Sequence, residues 1–210
     1  MIKKIGASLL VLVAGLVPAA GSQVEDCVAA VVNTRVITRV DLRIVDRFGL
    51  HPDDAGGRSL ERLLDRVVEQ KLVVDLAREQ AAPGGEEIAA AMNALILTLG
   101  PEDFRKGLDE FGLEEVDLRP YVEEKLIYRK VIASRFSQSA PITLKEIEVY
   151  YQEVYVPAQT REGIVPAPMI QVLDRIEARI QERKREEQIA TWIGNLKALA
   201  DIHINRDCLK

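Results

Sequence analysis

The sequence is poor in the residues that most often build metal and catalytic centres. Its 210 residues include two cysteines and two histidines, and only 5% are aromatic. A structural zinc site needs several cysteine or histidine ligands at short, fixed spacings, and no such spacing occurs in this sequence. The phosphate-binding loop and the local motifs of serine hydrolases and zinc proteases are missing as well. We therefore predict a protein that is not an enzyme and that holds no metal ion or cofactor.

Acidic residues offer the other candidates for such chemistry. Asp53 and Asp54 are neighbours in a glycine-containing loop, but no EF-hand pattern surrounds them, so a calcium site is not predicted. Two pairs of adjacent glutamates, Glu114–Glu115 and Glu123–Glu124, lie on predicted helices. Adjacent carboxylates on a helix are solvated more often than they form an acid–base pair, and we interpret these four as surface residues.

Long hydrophobic runs are also scarce, and the one that stands out is at the N-terminus. Lys3 and Lys4 precede an apolar run over residues 5–17, and small residues follow it. A charged start, a short apolar centre and a small-residue end are typical of a secretory signal peptide, and the run is too short to span a membrane comfortably. We expect residues 1–22 to be a signal peptide cleaved before Gln23, which places the mature chain in the periplasm without a membrane span. An uncleaved N-terminal anchor is the alternative.

An excess of basic charge, the usual mark of a nucleic-acid-binding protein, is missing too. The full chain carries a net charge of −5, and without Lys3 and Lys4 the 26 basic residues face 33 acidic ones, a net charge of −7. The phosphates of nucleic acids and of anionic lipids repel an acidic chain. The charge therefore argues against nucleic acid or an anionic membrane surface as the main partner.

Helical periodicity is present over most of the sequence. Apolar residues recur every three or four positions between glycine and proline breaks, which is the pattern of amphipathic helices. Thr38 with Asp41 and Thr143 with Glu146 match capping boxes at two helix starts. The pattern predicts a mainly α protein with helices near residues 39–48, 59–81, 86–99, 101–111, 116–135, 144–155 and 169–199.

Short segments near both ends of the chain predict strands. Residues 27–32 and 35–38 are rich in valine and isoleucine and flank an Asn-Thr pair, which favours a two-residue hairpin turn. A hairpin this short needs a third strand or a helix to be stable. Residues 201–205 close the chain as a further strand, with His203 on one face and two isoleucines on the other.

The two cysteines, Cys27 and Cys208, lie at the start of the first strand and just after the last one. An even number of cysteines in an exported chain usually indicates a disulfide. If the first and last strands pair antiparallel, the start of one lies beside the end of the other, within bonding distance. We therefore predict a Cys27–Cys208 disulfide, with two free thiols as the alternative.

Several segments are similar, in their order along the chain, to those of a known family. They are "VAAVVNTRVITRVDL", "LLDRVVEQKLVVDLAREQ", "EEIAAAMNAL", "FRKGLDEFGL", "LRPYVEEKLIYRKVI", "ITLKEIEVYYQEVY" and "REEQIATWIGNLKALADIHI". As a set they resemble the SurA-like periplasmic chaperones, a parvulin-associated family of folding factors. The resemblance implies a multi-helix chaperone core, residues 23–155, on which a C-terminal helix and strand, residues 169–210, pack back. It also implies that the last strand joins the N-terminal hairpin in one small antiparallel sheet.

The sequence departs from that family between these two parts. Residues 156–168 contain three prolines and a glycine, and we predict a linker there. This linker stands where members of the family carry whole parvulin prolyl-isomerase domains. The resemblance therefore implies the chaperone core alone, without isomerase activity.

The function that the resemblance implies is an ATP-independent holdase, a chaperone that binds unfolded outer-membrane or secreted proteins and keeps them from aggregating. Such a protein binds apolar client segments in an incompletely filled apolar groove. Met92, Ile96, Tyr150 and Tyr151 are candidate lining residues, because adaptable and aromatic side chains suit varied partners, and core packing is the alternative for each. A non-catalytic envelope adaptor with one dedicated protein partner is the alternative function. A homodimer that swaps the C-terminal helix is a further hypothesis, because a short linker restricts how that helix folds back.

Overall fold

The structure, a computed structural model, describes residues 26–52, 59–138 and 140–209. It confirms the predicted fold class, since the protein is mainly α-helical with one small antiparallel sheet. The expected signal peptide and the Asp53–Asp54 pair lie outside the described residues. Within the described ranges, no helix is both long enough and apolar enough to cross a membrane. In chain order the regular elements are β1 (Val28–Val32), β2 (Arg35–Thr38), α1 (Arg39–Arg47), α2 (Leu60–Ala81), α3 (Gly85–Leu99), α4 (Pro101–Phe111), a 3₁₀ turn (Glu115–Leu118), α5 (Arg119–Arg135), α6 (Leu144–Tyr150), a π-helical turn (Tyr151–Tyr155), α7 (Val156–Arg161), α8 (Met169–Leu199), β3 (Ile202–Ile204) and a last 3₁₀ turn (Arg206–Leu209).

Strands from both ends of the described chain form the sheet. β1 is its central strand, and β2 and β3 pair antiparallel with it on either side. Asn33, in the turn between β1 and β2, has a φ of 53°, a backbone conformation that asparagine adopts more readily than most residues. Its side-chain oxygen accepts a hydrogen bond of 3.1 Å from the N–H of Asp201, just before β3. The predicted hairpin and its third strand are both confirmed.

The two cysteines meet where β1 begins and β3 ends. The Cα atoms of Cys27 and Cys208 are 5.9 Å apart, a separation typical of a disulfide, and their sulfur atoms are at bonding distance. Cys208 is buried against the main core. The pairing of β1 with β3 therefore brings these two residues together, as the sequence predicted.

The first helix is fixed by the capping box that the sequence predicted. The N–H of Asp41 donates to Thr38 Oγ1 at 3.1 Å, and the N–H of Thr38 donates to Asp41 Oδ2 at 2.9 Å. Asp41 Oδ1 also accepts a hydrogen bond of 2.6 Å from the hydroxyl of Tyr121 on α5. Burial and the neighbouring Asp41 raise the pKa of Tyr121 well above its ordinary value of 10.0. The hydroxyl therefore stays protonated at neutral pH and ties the start of α1 to α5.

The main core lies between the sheet and helices α1 to α5. α4 approaches the end of α1 closely at Gly107, where an added Cβ atom would lie 2.8 Å from Phe48 Cζ. The largest fully buried side chains of this core are Phe48, Ile37, Leu42, Leu64 and Leu118. We call the sheet, α1 to α5 and the half of α8 that packs on them the main lobe.

The segment after α5 begins as predicted but stays helical for longer. Thr143 and Glu146 form the predicted capping box at the start of α6. The chain then passes through the π-helical turn and continues as α7, which lies inside the predicted linker of residues 156–168. The linker prediction is therefore wrong for residues 156–161.

The π-helical turn explains how a proline fits into this helix. Pro157 has no N–H to donate, and its ring is disfavoured inside a regular α-helix. The N–H of Val156 donates to the carbonyl of Tyr151, five residues earlier, so the hydrogen-bond register changes just before the proline. The sequence contains the proline but no visible sign of this change of register. Within the predicted linker, the irregular part is residues 162–168.

α8 connects two apolar clusters. Its first half packs on α6, where Ile147, Ile176 and Ile180 are buried, and we call α6, the π-helical turn, α7 and this half of α8 the second lobe. Its second half packs on α2 of the main lobe, with Ile193 buried. The highly charged middle of α8 lies between the two clusters. Residues 162–168 join α7 to α8, whose first half packs on α6 of the same chain. The swapped homodimer stays a hypothesis.

Candidate functional site

An open surface lies along the second half of α8, where this helix meets α2 and α5. A groove of about 820 Å³ runs between the three helices, and we call it the basic groove. It is lined by Pro52 before α2, by Arg66 and Glu69 of α2, by Tyr128, Arg129, Ile132 and Ala133 of α5, and by Arg185, Glu186, Ile189, Ala190, Ile193, Gly194 and Lys197 of α8.

The floor of the basic groove is apolar. Tyr128, Ile132 and Ile193 line it and are each less than one-tenth exposed. Gly194 leaves it open, because a Cβ atom added there would meet no other atom within 4 Å. The groove therefore offers apolar surface at its base and room for a side chain above it.

The rim of the basic groove carries more positive than negative charge. Four cations and two carboxylates line it, although the whole chain is acidic. Glu69 accepts hydrogen bonds from Arg66 at 2.8 Å and from Lys197 at 2.9 Å, so one of the two carboxylates is already paired with two cations. A local excess of positive charge on an acidic protein attracts acidic groups to this groove.

A second opening lies on the other side of α8, beside the end of α5 and the segment that joins α5 to α6. This inter-lobe cleft has a volume of about 970 Å³ and contains the only tryptophan. The rings of Trp192 and Phe136 meet edge to face with their centroids 5.7 Å apart, and the guanidinium of Arg135 lies 4.8 Å from the Trp192 centroid. Lys184 and Glu187 stand at its rim. The cleft therefore presents an aromatic surface that is partly covered by a cation.

A smaller groove of about 410 Å³ lies between the end of α1, α3 and α5, and we call it the α3 groove. Leu95 and Leu99 of α3 and Leu126 of α5 are among its lining residues. His51 lines it and is buried. Arg129 lines both this groove and the basic groove, so the two openings lie next to each other on the main lobe.

The four residues predicted to line a client groove do not come together. Met92 is only 4% exposed and packs in the main core, and Ile96 packs against the same core from α3. Tyr150 and Tyr151 pack on the second lobe, where the ring of Tyr151 stacks on that of Tyr155. Core packing was the alternative for all four residues, and it accounts for the position of Met92. None of the four residues lines any of the three openings described above.

Glu124 corrects the interpretation of the paired glutamates as surface residues. It is 8% exposed and accepts hydrogen bonds from Lys71 at 2.6 Å and from Arg78 at 3.2 Å, so it joins α5 to α2 inside the main lobe. The sequence held a sign of this burial, because Glu124 lies between Tyr121 and Tyr128 at spacings of three and four, on the buried face of α5.

In the described part of the chain, no group of three or more histidine, cysteine, aspartate or glutamate side chains is placed to hold a metal ion.

A further ion pair ties α6 to the middle of α8 beside the inter-lobe cleft. Glu146 accepts a hydrogen bond from Lys184 at 2.6 Å, and its other oxygen accepts from the N–H and hydroxyl of Thr143. The Lys184 hydrogen bond, followed by those from Thr143, lowers the pKa of Glu146 from 4.5 to about 2. A lowered carboxyl pKa stabilises the fold above the unfolded-state value, and this contribution is lost as the pH falls from 4.5 towards 2.

Replacing Lys184 by methionine is expected to raise the pKa of Glu146 towards its ordinary value. The substitution removes the strongest of the hydrogen bonds that favour the charged carboxylate and leaves the two from Thr143 in place. Carbon-13 NMR titration of the glutamate side chains measures the change directly. Lys130→Met is the matched control, because Lys130 pairs with Glu87 and should leave the Glu146 titration unchanged. An unaltered Glu146 titration in Lys184→Met would contradict the assignment.

Comparisons with known proteins do not assign the chain to a family. No protein-family model matches the sequence, and a search of curated proteins finds no match. The similarity to SurA-like chaperones therefore stays a prediction based on the segments quoted above. Any functional proposal depends on what the grooves of the structure can bind.

Proposed function

We propose that the protein is an exported, ATP-independent holdase that binds unfolded outer-membrane or secreted polypeptides in the basic groove. The observation that carries this proposal is the groove itself, which has an apolar floor and lies open on the surface of a helical protein. Exposed concave apolar surfaces are typical of sites that bind peptides or proteins. The predicted signal peptide supports export to the periplasm, and the resemblance to SurA-like chaperones supports the chaperone class.

Weak and reversible binding is what such a groove supports. Each Å² of apolar client surface that is buried on the floor contributes about 25 cal/mol to the binding free energy. The client also loses conformational freedom when it binds, and this loss offsets part of the gain. A holdase of this kind needs no nucleotide, because the client is released by the same equilibrium that binds it. Prolyl-isomerase activity forms no part of the proposal.

One observation favours the alternative of an adaptor with a dedicated, folded partner. Exposed apolar side chains lie together along the chain where the irregular segment joins α8. Val165 is 88% exposed and Ile170 is 76% exposed. A folded partner could cover this end of the second lobe, whereas unfolded clients would use the grooves. Affinity capture separates the two functions, because an adaptor retains one stoichiometric folded partner and a holdase retains many unfolded clients.

Replacing Gly194 by tryptophan is expected to weaken client binding without unfolding the protein. The position has open space in front of it, so the new side chain fills the basic groove instead of displacing core atoms. The assay is light scattering of a denatured outer-membrane protein diluted into buffer without ATP. We expect the unsubstituted protein to suppress aggregation and Gly194→Trp to need about fivefold more protein for the same suppression.

Ala178→Trp provides the matched control for this experiment. Ala178 is exposed on α8 in the second lobe and lines none of the three openings. The control should therefore suppress aggregation as well as the unsubstituted protein does. A failure of the unsubstituted protein to suppress aggregation at severalfold excess would refute the proposed function. Equal suppression by Gly194→Trp would refute the assignment of the basic groove.

A further inference from the structure

Two arginines of the basic groove have few charge partners within the described residues. Arg129 on α5 makes no hydrogen bond or ion pair within the described part of the chain. Among the described residues, Arg185 on α8 has one ion pair, with Glu182 one turn earlier on the same helix, at 3.8 Å. In contrast, Arg66 and Lys197 are both engaged by Glu69. The guanidinium groups of Arg129 and Arg185 can therefore turn to a bound partner.

These two arginines belong to different helices, and apolar side chains lie among the lining residues between them. Ile132 follows Arg129 by one turn on α5, and Ile189 follows Arg185 by one turn on α8. Guanidinium groups bind carboxylates through two parallel hydrogen bonds, which an apolar or basic side chain cannot make. A partner that matches this arrangement has apolar side chains for the floor and carboxylates on either side of them.

The α3 groove extends the same pattern. Arg129 lines both grooves, and the consecutive residues His51 and Pro52 line the α3 groove and the basic groove respectively. A carboxylate at Arg129 would therefore lie between two apolar surfaces. Glu186 is the second carboxylate that lines the basic groove. It reduces the positive charge of this groove without cancelling it.

We propose that the basic groove selects polypeptide segments in which apolar side chains are flanked by acidic residues, and that Arg129 and Arg185 bind the acidic flanks. The inference rests on the proposed holdase function and adds a rule for which client segments bind. Lysine-flanked segments are disfavoured, because four cations at the rim repel them.

Three labelled peptides test this rule against the full-length mature protein. They share one apolar core, which is flanked by aspartates, by serines or by lysines, and fluorescence anisotropy measures their binding. We expect the aspartate-flanked peptide to bind about tenfold more tightly than the lysine-flanked peptide at low salt, and this ratio to shrink as salt screens the charges. Equal affinities for the three peptides, or tighter binding of the lysine-flanked one, would overturn the proposal.

A pair of double variants assigns the effect to the two arginines. Arg129→Glu with Arg185→Glu should abolish or reverse the preference for aspartate flanks. Arg105→Glu with Arg179→Glu changes the net charge by the same amount at exposed positions outside the three openings, and should keep the preference. Circular dichroism establishes that both variants are folded. An unchanged preference in the groove variant would overturn the role of these arginines.

The outcomes separate this inference from the function on which it rests. Suppression of aggregation together with equal binding of all three peptides would leave the holdase standing and overturn the charge rule alone. No suppression and no binding of any peptide would overturn both. Binding to vesicles of phosphatidylglycerol that depends on the same two arginines, with no preference among the peptides, would assign the groove to a lipid surface and overturn the proposal.

Discussion

Replacing both Cys27 and Cys208 by serine is expected to lower the free energy of unfolding by about 4 kcal/mol and the melting temperature by about 10 °C. The two residues are separated by 181 positions, so the cross-link closes a loop that contains almost the whole described chain. In the chain-entropy model, a cross-link stabilises the native state by restricting the unfolded chain, and the effect grows with the length of the loop. Urea denaturation followed by circular dichroism measures the difference.

The double replacement is preferable to a single one, because a remaining free thiol could form bonds between molecules. Reduction of the unsubstituted protein serves as the matched control and should reproduce most of the loss. Thiol labelling of the unreduced protein should find no free cysteine. A double variant within about 1 kcal/mol of the unsubstituted protein would contradict the stabilising role.

The effect of the cross-link should reach the basic groove. Cys208 follows β3, and β3 follows the half of α8 that forms one wall of the groove. The pairing of β1 with β3 and the cross-link hold the end of this wall against the main lobe. Faster hydrogen exchange in the last turns of α8 is therefore the local sign we expect when the cross-link is removed.

Features decided by neighbouring residues could be predicted from the sequence. The hairpin follows from valine-rich strands around an Asn-Thr pair, and the starts of α1 and α6 follow from their capping boxes. The breaks at Gly49 and Gly112 also mark the ends of helices, because each adopts a positive φ that glycine tolerates. The hairpin needed a third strand or a helix, and the resemblance to the SurA-like chaperones implied that the C-terminal strand takes this place.

Features that depend on distant contacts could not be predicted in the same way. The continuation of the helix through Pro157 needs a π-helical turn that no local motif announces. The basic groove needs the crossing of α2, α5 and α8, so its lining residues come from three separate stretches of sequence. Met92 lies on the apolar stripe that the sequence predicts for α3, but only the packing of the helices shows that this part of the stripe is covered by the main core.

Glu124 shows most clearly how burial changes the meaning of a residue. Its replacement by leucine is expected to destabilise the protein by about 3 kcal/mol, because removing one partner of a buried ion pair leaves the other charge uncompensated. That charge is the ammonium group of Lys71, whose side chain is only 16% exposed. Arg78 would keep one carboxylate partner after the replacement, because its guanidinium also lies 3.7 Å from Glu123. Urea denaturation measures the loss.

Two further variants separate lost charge pairing from lost packing. Glu115→Gln is the matched control, because Glu115 is exposed, and it should change stability by less than about 0.5 kcal/mol. Adding Lys71→Met to Glu124→Leu should recover most of the loss, because a buried pair replaced on both sides by apolar side chains leaves no charge without a partner. If the second substitution instead adds its own loss to the first, α2 and α5 are held together by the shape of these side chains and not by their charge.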